Sequence, residues 1–111
     1  MLSDQELKAL NKIANSSLLK NVYPMVDRVE ITYVGEGRKG RRKLDNYKVA
    51  VYLNDDSITE KNMYEKEFDP YYLISQYIGI DFLYYLGIPR YNNQFWIEAY
   101  SPDGSVILTD Y

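Results

Sequence analysis

The chain has 111 residues, 46% hydrophobic and 26% charged, the profile of one folded domain with a single modest core. It has no Cys and no His, which excludes disulfides, thiolate chemistry and zinc-thiolate sites and removes the commonest general base and metal ligand. Five of its 13 Lys and Arg lie in one run, Arg38-Lys39-Gly40-Arg41-Arg42-Lys43; the other eight face 16 Asp and Glu, a surplus of eight negative charges.

Ser3 with Glu6 has the spacing of a capping box, and Leu2 with Leu7 that of a hydrophobic staple. Leu7, Leu10, Ile13, Ala14 and Leu18 then recur at helical spacing, which predicts a helix that ends near residues 15–19, before Pro24. Its other face, Lys8, Asn11, Lys12 and Asn15, is expected to be solvated. Val29, Ile31 and Tyr33 alternate with polar residues, and Tyr47, Val49, Val51 and Leu53 do the same, so two half-buried strands are predicted. The run between them, residues 35–46, is expected to be a flexible hairpin tip or loop that carries the basic cluster. Residues 54–68 form an acidic connector, in which Ser57 and Glu60 have the spacing of a cap on a short helical turn.

Asp69 as N-cap and Pro70 at the first helical position open a second helix. Gly87, Ile88 and Pro89 close it after Leu86, with Ile88 placed to contact Leu83. Two last strands, residues 94–101 and 105–111, flank the turn Pro102-Asp103-Gly104. The order α-β-β-α-β-β predicts one α+β domain over residues 1–111, an antiparallel sheet of about four strands with two helices on one face. The polar, acidic start and the absence of a long apolar run point to a cytoplasmic protein without a membrane segment.

Gly35-x-Gly37-x-x-Gly40 formally matches a dinucleotide fingerprint, but no helix opens after the glycines, and the match is rejected. What the segment offers is a cationic surface of Arg38, Lys39, Arg41, Arg42 and Lys43 for an anionic partner, either phosphates or an acidic protein face. Asp55, Asp56, Glu60 and Glu65 form the opposing acidic patch. They lack the spacing of a calcium loop, so no metal and no cofactor are expected. On a helical wheel at about 100° per residue, Asp81 falls among Tyr77, Tyr84 and Tyr85. That face is either a contact or homodimer surface or, alternatively, core, with Asp81 paired to Arg28, Arg90 or Tyr hydroxyls.

Thirteen Tyr, with many Asn, Ile, Lys and Asp, is a composition typical of AT-rich genomes, as in a phage or mobile element. The expected function is therefore that of a small, non-enzymatic regulatory binding protein of viral type. It would dock on a nucleic-acid-handling protein machine and modulate or inhibit it. The alternative is a direct DNA or RNA binder using the basic hairpin, with Tyr33 or Tyr52 stacking on bases. An enzyme built on carboxylates or Tyr is a third class.

Overall fold

The structure, a computed structural model, describes residues 1–110. Its elements are helices α1 (Asp4–Ala14) and α2 (Ser17–Val22), strands β1 (Val26–Lys39) and β2 (Arg42–Leu53), a long helix α3, and strands β3 (Asn93–Tyr100) and β4 (Val106–Asp110). Helix α3 begins as an α-helix at Pro70–Tyr72, runs as a π-helix over Leu73–Phe82 and ends as an α-helix at Leu83–Tyr85. The predicted α+β class and element order hold, with α1 and α3 as the two principal helices. Residue 111 of the predicted last strand lies outside the described residues. No helix among them is long and apolar enough to cross a membrane.

The sheet is mixed rather than antiparallel throughout. Its order is β1-β2-β3-β4; β1–β2 and β3–β4 are antiparallel hairpins, but β2 and β3 run parallel. The chain leaves β2 at one end of the sheet and returns through the connector and α3 to the other end. A crossover of that kind is what parallel neighbours require. Register then stacks the core face in rows. Val29, Val51, Ala99 and Leu108 form one, Ile31, Val49 and Ile97 the next, and Tyr33, Tyr47 and Phe95 an aromatic third. The Tyr47 ring lies 5.4 Å from Tyr33 and 5.3 Å from Phe95. Against this face pack Leu10 and Ile13 of α1 and Leu73, Ile78, Phe82 and Leu83 of α3, all in one buried cluster.

Both halves of the capping box form, Glu6 N–H to Ser3 Oγ and Ser3 N–H to Glu6 Oε1, each at 3.0 Å. Helix α1 then stops at Ala14, and α2 begins three residues on. Ser16 Oγ donates to the Ile13 carbonyl at 2.6 Å, the competition by a short polar side chain that breaks helices. The polar face of α1 is solvated as expected only at Lys8 and Lys12, whereas Asn11 and Asn15 are half-buried. Asn11 clamps Ile31, accepting from its N–H at 2.7 Å and donating to its carbonyl at 2.9 Å; Asn15 clamps Val29 in the same way at 2.8 Å each. These are the outward-facing backbone groups of β1, an edge strand.

The connector contains no regular helix, and its cap is not Ser57 with Glu60. Thr59 and Asn62 form the reciprocal pair instead, Thr59 N–H to Asn62 Oδ1 at 2.7 Å and Asn62 N–H to Thr59 Oγ1 at 3.3 Å. From Ile58 onward every fifth residue is buried and apolar: Ile58, Met63, Phe68, Leu73, Ile78, Leu83 and Ile88. Within α3 this spacing suits the i→i+5 bonding of a π-helix, whose wider winding brings every fifth residue nearer to one side than α-helical winding does. Gly79 belongs to that packing, because a Cβ there would lie 2.9 Å from the Ile74 carbonyl oxygen. The helix ends as predicted, with Gly87 at φ 69°, its N–H on Tyr84 O at 3.0 Å and the Ile88 N–H on Leu83 O at 2.8 Å.

Candidate functional site: a basic ribbon and the groove at its base

Residues 35–46 form a hairpin tip, the first of the two predicted alternatives, and not an open loop. Strands β1 and β2 stay paired from Tyr33 to the tip, where only Gly40 and Arg41 are unpaired. Gly40 at φ 65°, followed by Arg41 at negative φ, has the signs of a type II′ turn, whose twist matches that of a hairpin. A one-residue shift between Tyr33 and Gly35 marks a bulge where the ribbon leaves the sheet.

All five predicted cations are exposed, and pairing sets like charges directly opposite one another: Arg38 against Lys43, and Lys39 against Arg42. Such pairs destabilise a ribbon. Among the described residues none of the five has an ion-pair partner; the ion pairs are Met1–Asp45, Arg28–Glu30 and Lys48–Glu98. Arg42 instead lies 5.2 Å from the ring centroid of Tyr91.

Parallel pairing decides what lies beside the ribbon. The start of β3 lies against the start of β2: Asp45 pairs with Asn93, and the Asp45 N–H donates to the Asn92 carbonyl at 2.7 Å. Arg90 and Tyr91 are thereby carried to the basic end. A groove of about 660 Å³ opens there between the ribbon, one face of α3 and residues 90–95. Lys39, Arg42 and Arg90 line it together with Ile74, Tyr91 and Phe95, and no described carboxylate does. Sequence reasoning missed Arg90 and Tyr91, because an antiparallel β2–β3 pair would have placed them at the acidic end.

The predicted acidic patch lies beyond the other end of β2. Asp56, Glu60 and Glu65 are exposed, while Asp55 is half-buried in a turn. The Ser57 hydroxyl (2.6 Å) and N–H (2.9 Å) both donate to the Asp55 carboxylate and hold it below the usual carboxylate range. Asp103 and Ser105 repeat this arrangement in the last turn, with the same downward shift. A 12-residue strand separates the two poles, a span of about 40 Å at the usual rise per residue.

The predicted face Tyr77, Asp81, Tyr84 and Tyr85 does not stay together. Tyr77 turns inward, edge-on to Tyr23 at 5.9 Å and to Phe82 at 6.2 Å, whereas Tyr84 is 86% and Tyr85 72% exposed. Asp81 is exposed and has no ion-pair partner among the described residues, so it is not a core carboxylate paired to Arg28 or Arg90. Tyr85 borders an apolar groove of about 480 Å³ shared with Ile13, Leu18 and Leu86.

Both Tyr proposed to stack on bases already make ring contacts within the sheet. Tyr33 packs on Tyr47. Tyr52, on the outer sheet face, has the Arg28 guanidinium 3.9 Å from its ring centroid and Tyr100 stacked at 5.1 Å. Among the described residues no cluster of three or more His, Cys, Asp or Glu could hold a metal ion. No protein-family model matches the chain, and no curated protein or solved structure does.

Proposed function

We propose that this chain is a non-enzymatic binding protein that docks on a larger nucleic-acid-handling protein assembly and modulates or inhibits it, its composition fitting a phage or mobile-element source. The observation that supports this is the polar layout of its charge: a paired ribbon of unneutralised cations at one end of β2 and the exposed Asp56, Glu60 and Glu65 past the other. Two poles of opposite sign orient a protein on a partner with the complementary pattern and steer its approach.

The test is recovery from native cytosol, with and without nuclease. One stoichiometric protein partner should be retained after nuclease treatment and released when Arg38 and Arg41 are changed to Glu. Recovery of nothing at physiological salt would overturn docking.

Direct nucleic-acid binding is the second reading, favoured by the like-charge pairs at the ribbon tip, which a phosphate backbone would neutralise. It requires a mobility shift at low salt that Arg41→Ala with Arg42→Ala abolishes. No shift with duplex or single-stranded DNA or RNA would end it.

A further inference from the structure

We propose that the groove at the base of the ribbon binds a nucleotide, either free or as one residue of a single-stranded nucleic acid. This goes beyond docking through the charge poles, because the groove draws on Arg90 and Tyr91, which belong to neither pole as read from the sequence. Three cations from three places in the chain converge on it: Lys39 from the end of β1, Arg42 from the start of β2, and Arg90 from the segment before β3. No described carboxylate balances them there, so an anion is the missing complement.

The anion is not a bare one. The groove is about 660 Å³, within the roughly 300–1,000 Å³ usual for organic ligands. Leu44, Ile74 and Phe95 give it an apolar wall, and Gly79 leaves a gap in the helical side beside Ile74 and Ser75. Tyr91, 67% exposed, presents its ring beside the Arg42 guanidinium. Guanidinium forks suit phosphate oxygens, and an aromatic ring beside them suits a base. An acidic peptide would use the cations but leave the ring and the apolar wall idle. The π-helical stretch of α3 also forms one side, and such stretches frequently occur at functional sites.

Isothermal titration of the full chain at low salt tests this with ATP, inorganic pyrophosphate, a 5′-phosphorylated oligothymidylate and a polyglutamate peptide. ATP or the oligonucleotide should bind more tightly than pyrophosphate. ATP binding without the oligonucleotide identifies a free-nucleotide site, and the reverse identifies a strand site. Arg42→Ala and Arg90→Ala should each weaken binding about tenfold. Tyr91→Ala should weaken the nucleotide ligands about tenfold while leaving pyrophosphate unchanged. Lys61→Ala, an exposed cation in the connector and outside the groove, should change ATP affinity less than about twofold, since an exposed distant charge is largely screened. All four side chains are exposed, so the variants should fold, and circular dichroism checks that they do.

The proposal is overturned if neither ATP nor the oligonucleotide binds, or if polyglutamate binds as tightly as they do. It is equally overturned if Lys61→Ala weakens binding as much as Arg90→Ala. None of these results bears on recovery of a protein partner, so the docking proposal stands or falls separately.

Discussion

Glu67 and Gly87 hold the same place in two copies of one chain ending. In each, the residue sits in the left-handed region, at φ 63° and 69°, and donates its N–H to the carbonyl three back at 3.0 Å. The next N–H reaches the carbonyl five back at 2.8 Å, Phe68 to Met63 and Ile88 to Leu83. Glycine adopts that conformation freely, whereas a side chain there costs about 1 kcal/mol or more. Glu67→Gly should therefore stabilise the protein by about 1 kcal/mol, and Gly87→Ala should destabilise it by a similar amount, both read by urea unfolding. Tyr23 supplies a pH effect. It is nearly buried, donates its hydroxyl to the Asp69 carbonyl at 3.3 Å, and has its phenol pushed up to about 12, first by burial and then by the Asp69 charge. Because the folded protein holds this proton above the ordinary value of 10.0, the stabilisation is complete below pH 10 and is lost as pH rises from there toward 12. Burial raises Tyr47 as well. Unfolding should set in across that window and coincide with tyrosinate absorbance. Tyr23→Phe should make the loss shallower while costing about 1 kcal/mol at neutral pH.

At the scale of elements, α1 acts as a cover for β1. Asn11 and Asn15 are one helical turn apart, and Ile31 and Val29 are two strand residues apart. Because a helical turn and two strand residues span nearly the same length, two amides can occupy two successive outward pairs of backbone groups. An edge closed in this way cannot recruit another strand. Asn15→Leu should cost about 2 kcal/mol through its lost hydrogen bonds and free the edge at Val29, seen as lower unfolding midpoints and concentration-dependent light scattering. The strands themselves were legible, since Val29, Ile31, Tyr47, Val49 and Val51 declare their face by alternation alone. So were the ends of α3, where Asp69, Pro70 and Gly87 act on their immediate neighbours. The role of Asn11 and Asn15 was not, because it depends on which strand is the edge, a fact held in residues far from both. The five-residue spacing from Ile58 to Ile88 is visible in the sequence, yet a wheel drawn at the ordinary helical angle scatters it. The same wheel gathered Tyr77 with Tyr84 and Tyr85, which the folded helix separates.

The layout of the whole molecule follows from one pairing. With β2 and β3 parallel, the start of β3 joins the basic end and the connector stays at the acidic end, so the crossover carries the chain from one pole back to the other. Nothing local announces that direction, which is why Arg90 beside Arg42 was out of reach of the sequence. The same topology orders events in time. The β1–β2 ribbon closes over a two-residue turn, a short-range contact that forms quickly, whereas β3 cannot dock until residues 54–92 have been laid down. Core substitutions such as Val49→Ala should slow folding, and Leu108→Ala in β4 should mainly speed unfolding, as stopped-flow kinetics would show. The cationic ribbon is then complete early in folding, while the groove beside it is finished only when β3 docks against β2.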